Sequence, residues 1–212
     1  MAKGRVTVCV PPCDPEDPDS LRRAIGRALA PYDYNREDIP HPDWVGEWDY
    51  WFISGAGCAF AVLPGHEDDP RLVRHDEWKP AEELPWSRCH GGPRGLLDLD
   101  TDRAEVAREA ARRWDDWRRF EARHTGPEAV LRAIAEDEEL RERFPHDPYN
   151  SFGRDREAYI AERAADVLPT TALLTLDGRW VEYGGPDYRE WFNTYLDALP
   201  ADTMVVRVLY HA

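Results

Sequence analysis

The last part of the sequence, from residue 171 onward, constrains the fold more than any other segment. Residues 171–176 and 179–183 have strand character, and Asp177-Gly178 between them tolerates the positive φ of a tight hairpin turn. Apolar residues then recur at helical spacing, at Tyr188, Trp191, Phe192, Tyr195, Leu196 and Leu199. Residues 203–210 indicate a closing strand. The pattern predicts a hairpin, a helix with Trp191 buried against the sheet, and a final strand.

The beginning of the chain alternates strand and helix in a similar way. Residues 5–10 predict a strand that ends at Pro11-Pro12, and residues 50–53 and 58–63 predict two more strands around a turn at 54–57. Between them one helical face is formed by Leu21, Ala24, Ile25, Ala28 and Leu29. Together with the C-terminal pattern, this order predicts an α+β fold with a ferredoxin-like, split βαβ antiparallel sheet and a helical insertion.

The domain organisation follows from where this alternation is interrupted. Residues 1–63 form the first βαβ half, residues 64–168 a loop and helical insertion, and residues 169–212 the second half. Within the insertion, periodic helical signals begin only near Asp102, because the preceding stretch is rich in turn residues.

The charge balance excludes several classes of function. The chain of 212 residues carries 42 acidic and 27 basic side chains, a net charge of -15. A duplex nucleic-acid binder needs a basic surface, so direct binding to DNA or RNA duplexes is not expected, and a membrane partner is not expected either. The acidic excess leaves an acidic DNA-mimic inhibitor as one alternative function. The sequence shows no signal peptide, and with four cysteines this predicts reduced thiols and a cytoplasmic location.

One stretch of sequence carries a family resemblance. The run Trp48-Asp49-Tyr50-Trp51-Phe52-Ile53-Ser54-Gly55-Ala56-Gly57 resembles a motif of uncharacterised small bacterial and phage proteins, in which a Trp-Asp-aromatic-aromatic run precedes x-Ile-Gly-Gly-Arg. The C-terminal part is similar too, in Gly178-Arg179-Trp180, in residues 199–203 and in the closing His211. Here Ser54 stands for a glycine, and Ala56-Gly57 for an arginine and an aromatic residue. The resemblance bears on the fold and implies no activity.

Three cysteines are the metal-ligand candidates. Cys9 and Cys13 have the spacing of one zinc-ligand pair, whereas Cys89 is followed directly by His90, a poor chelating pair in a strand. Because a zinc site needs two well-spaced pairs, Cys9, Cys13 and Cys89 are expected to be structural or incidental. We expect no cofactor.

Histidines beside carboxylates are the candidates for acid–base catalysis. His75 precedes Asp76, His90 lies in a glycine-rich loop, and His146 precedes Asp147 between two predicted helices. Catalysis would require these loops to meet in one cleft, which makes a small cytosolic hydrolase or transferase the enzymatic alternative.

Tryptophans provide the main functional prediction. Nine tryptophans exceed what a core of this size needs, and Trp44, Trp48, Trp51 and Trp180 fall in or near predicted strands. They either fill the core or form a ligand or partner surface, since exposed aromatic side chains mark interaction sites. We therefore predict a non-catalytic binding or protein-interaction module with an aromatic surface, an unknown protein or small molecule as partner, and a homodimer as one allowed assembly.

Overall fold

A computed structural model describes residues 3–17, 19–35, 47–81 and 83–211. The chain divides into two compact units, one of residues 1–99 with 168–212 and one of residues 100–167. Residues 64–99, which the sequence pattern assigns to the insertion, therefore belong to the first unit.

The elements of the first unit alternate strand and helix at both ends of the chain. They are β1 (Lys3–Val10), α1 (Ser20–Leu29), β2 (Tyr50–Ile53), β3 (Phe60–Val62), β4 (Arg88–Cys89), β5 (Gly91–Pro93), β6 (Leu97–Asp98), β7 (Ala172–Leu174), β8 (Trp180–Glu182), α7 (Pro186–Ala198) and β9 (Met204–His211). Short 3₁₀ turns cover Ala30–Tyr32 and Arg94–Leu96. The second unit contributes α2 to α6.

The main sheet has the order β2-β9-β1-β7-β8, and β5 pairs with the first residues of β9. Strand β9 is antiparallel to β1, β2 and β5, whereas β1 and β7 are parallel. A second, small sheet places β3 between β4 and β6. Strand β2 is an edge strand of the main sheet, and its outer edge lies next to segments that follow it in the chain.

One face of the main sheet builds the apolar core against α1. Side chains alternate along a strand, so Val6 and Val8 of β1 point to the same face as Val206 and Val208 of β9. Ile25 and the other buried residue of α1, Leu29, cover this face, and all of these side chains belong to one buried cluster. This layer forms because the valines favour strand structure and the apolar face of α1 packs against them.

The opposite face of the sheet contains a buried cation. Arg207 of β9 is 3% exposed, and its guanidinium lies 4.0 Å from the ring centre of Phe60. The guanidinium donates hydrogen bonds to the hydroxyl of Thr7 and to the carbonyl oxygen of Leu168. These bonds satisfy two of its nitrogens with neutral acceptors.

The second unit is helical. Its elements are α2 (Asp100–Glu121), α3 (Pro127–Glu136), α4 (Glu138–Arg143), α5 (Pro148–Phe152) and α6 (Arg156–Ala165). Trp117 is buried at its centre, 5.4 Å from Phe144 and 5.3 Å from Phe152 between ring centres. Asp137, Asp147 and Asp155 cap the following helices by accepting backbone N–H bonds.

The predicted α+β class is confirmed, and the ferredoxin-like arrangement is not. The sheet is mixed instead of antiparallel, because β7 runs parallel to β1. The hairpin of β7 and β8 is present, with Gly178 at φ 82° in its turn. Among the described residues, no helix combines the length and the apolar character needed to cross a bilayer.

Candidate functional site

A row of aromatic rings runs along strand β2 in the first unit. The ring of His211 stacks on Tyr50 at 4.7 Å, Tyr50 contacts Phe52 at 5.7 Å, and Phe52 contacts Trp78 at 5.3 Å between centres. Tyr50 and Phe52 share a face because they are two residues apart in a strand. Tyr50 is 40% exposed and Trp78 is 39% exposed. We call His211, Tyr50, Phe52 and Trp78 the aromatic row.

A cleft of about 400 Å³ is lined by residues on both sides of Trp78 in the chain, among them Asp76 and Pro80. It is lined by Arg74, His75, Asp76, Pro80, Glu83, Leu84 and Trp86. The guanidinium of Arg74 lies 4.4 Å from the ring centre of Trp86, and it also donates a 2.8 Å hydrogen bond to the carbonyl oxygen of Arg88. This arrangement holds an exposed indole at the cleft through a cation–π contact.

A buried polar network lies behind the cleft and joins three separate segments. Asp76 accepts a 2.7 Å bond from the hydroxyl of Ser54 on Oδ2, and its Oδ1 accepts the N–H groups of Trp78 and Lys79 at 2.8 Å. His90 Nε2 lies 3.5 Å from the same Oδ2. Burial opposes the charged form of Asp76, but these hydrogen bonds outweigh it, so the pKa of Asp76 lies below its usual value.

This network does not have the geometry of a nucleophilic triad. The N–H of Gly55 donates to His90 Nδ1 at 2.9 Å, so Nδ1 is an acceptor and Nε2 is the ring nitrogen that carries the proton. Ser54 donates to Asp76 and not to His90, so no ring nitrogen receives its proton. The network instead fixes the turn that follows β2, where Ala56 N–H also donates to the Ser54 hydroxyl.

A second His–Asp pair lies at the other end of the aromatic row. Asp49 Oδ1 and His211 Nδ1 are 2.7 Å apart. Strand pairing creates this contact, because Tyr50 lies opposite His211 in the β2–β9 register and Asp49 N–H donates to the His211 carbonyl. His211 Nε2 is buried and has no hydrogen-bond partner among the described residues.

Of the four tryptophans predicted to form a contact surface, three lie in or against the apolar core of the first unit. Trp48 is 8% exposed within the core cluster, and its indole N–H donates to the Leu29 carbonyl at 3.0 Å. Trp51 and Trp180 are half-buried against the same cluster. Trp44 lies outside the described residues. Among the described residues of the first unit, the exposed indoles are those of Trp78 and Trp86.

The predicted catalytic candidates are only partly brought together. Asp76 and His90 meet in the buried network, while His75 is exposed at the cleft. His146 is exposed in the second unit. Ser54 completes the network although the sequence gives it no polar role. A serine in place of the motif glycine, directly after a strand, is the signal that could have identified it.

The cysteine candidates are all free thiols. Burial raises the pKa of Cys9 to about 12 and that of Cys89 to about 11, which disfavours the thiolate that a metal requires. Cys13 is half-buried, and burial raises its pKa as well. Within the described ranges, no group of three or more His, Cys, Asp or Glu side chains is placed to hold a metal ion.

The chain matches no protein-family model, no curated protein and no solved structure. Function must therefore be inferred from the aromatic row, the cleft and the two His–Asp pairs.

Proposed function

We propose that the protein is a non-catalytic binding or protein-interaction module that uses the aromatic row and the cleft as its contact surface. The observation that supports this proposal is the continuous ring contact from His211 to Trp78, with Tyr50 and Trp78 left about two-fifths exposed. Neighbouring aromatic side chains that stay accessible are typical of interface centres, where rigid rings bury large areas at low entropic cost.

The cleft adds polar complementarity to the row. Arg74 and His75 can donate hydrogen bonds there, and Asp76 and Glu83 can accept them. A partner that places an apolar or aromatic group on the row and a polar group in the cleft matches both features. The partner is an unidentified protein or small molecule.

Partner capture with matched variants tests this proposal. The double variant Tyr50→Ala/Trp78→Ala removes the two exposed rings of the row, while Leu131→Ala removes an exposed apolar side chain from the second unit. We expect the double variant to melt close to the wild-type protein and to lose the captured partner, as measured by quantitative mass spectrometry. Equal capture by all three proteins would contradict the proposal.

The enzymatic alternative is favoured by one observation, the Asp49–His211 pair. A carboxylate that accepts the Nδ1 proton leaves Nε2 as a proton acceptor, which is the arrangement of a general base. This alternative predicts a hydrolytic or transfer activity that His211→Gln abolishes and that Leu131→Ala, in the second unit, retains. If no activity is found in a screen of ester and phosphoester substrates, the binding proposal is favoured.

We also propose a relation to the small bacterial and phage proteins with the Trp-Asp-aromatic motif. Two separate parts of that resemblance, Asp49 and the closing His211, meet through a 2.7 Å contact. A cytoplasmic location is proposed as well, because the cysteines are free thiols.

A further inference from the structure

The turn after β2 places Cys58 in contact with Arg5, on the sheet face that also carries Arg207. Cys58 N–H donates to the Gly55 carbonyl at 2.8 Å, and the two residues between them have positive φ, 42° at Ala56 and 86° at Gly57. A non-glycine residue rarely adopts this conformation. The turn is therefore held by its surroundings, including the Ser54 hydroxyl that accepts the Ala56 N–H.

Arg5 contacts the sulfur directly. Its Nη1 donates to the Sγ of Cys58, and both side chains are partly buried. Arg5 and Arg207 come from neighbouring strands on one face of the sheet, since Arg5 pairs with Leu209 and Thr7 pairs with Arg207. The thiol thus lies on the face that carries the buried Arg207 guanidinium, with which it interacts electrostatically.

Arg207 is an independent sign that this face can take an anion. Its Nε is buried and has no hydrogen-bond partner among the described residues, and the acceptors of its other nitrogens are a hydroxyl and a carbonyl. Across the described ranges, no carboxylate forms an ion pair with Arg207 or Arg5. Buried cations in proteins are generally paired with an anion. Desolvation accordingly lowers the pKa of Arg207 to about 10, while Cys58 acts in the opposite direction.

We propose that Cys58 is a covalent-modification site of this protein, and that Arg5 and Arg207 direct small anionic electrophiles to its sulfur. In the reaction the sulfur attacks the carbon that bears the leaving group. An S–C bond forms, the bond to the leaving group breaks with its electron pair, and the thiol proton passes to solvent. The anionic group of the reagent is held by the Arg5 guanidinium in the field of Arg207.

The chain contains its own reference thiol. Cys13 is also half-buried, but its neighbours differ. Burial raises the pKa of Cys13, and the positive charge of Arg27 offsets only part of that rise. Cys9 and Cys89 are buried. A comparison of Cys58 with Cys13 in one sample therefore cancels differences in protein concentration and in intrinsic reagent reactivity.

The experiment alkylates the native protein with iodoacetate, which is anionic, and with iodoacetamide, which is neutral, and quantifies each cysteine by peptide mass spectrometry. We expect the iodoacetate-to-iodoacetamide rate ratio at Cys58 to exceed that at Cys13 by about tenfold, the lower end of electrostatic steering effects. Iodide is the leaving group in both reactions, so the ratio isolates the charge of the reagent.

Two variants connect the effect to Arg5. Arg5→Gln should lower the ratio at Cys58 toward that at Cys13, whereas Arg5→Lys should retain most of it, with melting curves showing that both variants are folded. Added salt should lower the ratio at Cys58 more than at Cys13, because screening weakens the attraction. An equal ratio at the two cysteines, or a Cys58 that stays unmodified in the native protein, would overturn the proposal.

Discussion

The indole of Trp48 combines two properties that a core residue needs. It is 8% exposed, and its only donor, the indole N–H, reaches the carbonyl oxygen of Leu29 at the end of α1. A buried indole without an acceptor would pay for the desolvation of that N–H, so this bond permits the ring to fill the core. Trp86 differs because its ring is 61% exposed.

Truncation to alanine should change the stability of the protein differently at these two tryptophans. We expect Trp48→Ala to destabilise the protein by about 3–5 kcal/mol, since it removes buried ring area and leaves a cavity. Trp86→Ala should leave the melting temperature near that of the wild-type protein. Thermal melts followed by circular dichroism measure both variants. Equal destabilisation would mean that Trp86 is also part of a core.

Glu47 and Glu182 form a carboxyl pair near the end of β8. Burial raises the pKa of Glu47 to about 7, and the charge and hydrogen bond of Glu182 add to this effect. The folded state therefore holds a proton on Glu47 more tightly than the unfolded chain does. Its contribution to stability is complete at pH below about 4.5, the ordinary Glu value, and is lost as the pH rises through about 7.

Replacing one carboxyl should remove this loss. We expect Glu47→Gln to raise the melting temperature relative to the wild-type protein at pH 8, with a smaller difference at pH 5. Glu136→Gln, which changes an exposed glutamate on α3, serves as the charge-matched control. Melting curves between pH 5 and pH 8 give the comparison. A difference that stays constant with pH would show that the pair does not share a proton.

Helix α7 occurs where the sequence predicts it, but its most buried residues are not the predicted ones. The sequence predicts a helix with Trp191 buried, but Trp191 is only half-buried and stacks on Tyr195 at 5.5 Å. The fully buried positions are Phe192 and Leu196, one helical turn apart, with Tyr188 one turn before them. Periodicity identifies the broad apolar face of the helix, but only packing against the sheet determines which residues of that face are fully buried.

The two neighbouring aromatic residues of α7 should therefore respond differently to truncation. Phe192→Ala is expected to cost about 3–5 kcal/mol, because the ring is completely buried. Trp191→Ala should cost clearly less, although tryptophan is the larger residue. Denaturant unfolding of both variants, analysed with a common slope, provides the test. A larger loss for Trp191→Ala would restore the prediction from sequence.

The turn after β2 marks the limit of prediction at the level of elements. Strand character at residues 50–53 and a turn at 54–57 follow from the local sequence, and the structure has both. The residues that contact this turn cannot be predicted in the same way. Asp76 and His90 come from distant segments, and no sequence motif connects them with Ser54. The sequence singles out Asp76 as the neighbour of His75 and His90 as part of a glycine-rich loop, whereas their joint burial depends on tertiary packing.

At the scale of the whole molecule, the sequence predicts the order of elements better than their neighbours. Helix α1, the hairpin and β9 occur where the periodicity places them. Strand order is a non-local property: β9 pairs with β1 and β2, which lie near the opposite end of the chain. The parallel pairing of β1 with β7 distinguishes this mixed sheet from the predicted antiparallel one, and alternation within each strand carries no information about it.

The unit of residues 100–167 has the parts of an independently folding helical domain. Trp117 contacts Phe144, Tyr149 and Phe152 at centre distances of 5.3–5.4 Å, and Val130 and Ile134 are buried in the same cluster. Ion pairs join separate helices, as between Arg156 and Asp115 at 2.9 Å. A domain of this size buries only about 60% of the surface that its unfolded chain exposes, so its stability depends on this one core.

We therefore expect a fragment of residues 100–167 to be helical and to melt cooperatively on its own. In that fragment Trp117→Ala should abolish the cooperative transition, because about 3–5 kcal/mol is a large share of the stability of so small a domain. Leu131→Ala is the matched control, since this side chain is 43% exposed and contributes little buried area. Far-UV circular dichroism gives helicity and the melt, and near-UV signals report a fixed environment of the Trp117 ring. A fragment that is helical without a cooperative melt would show that its core needs the rest of the chain.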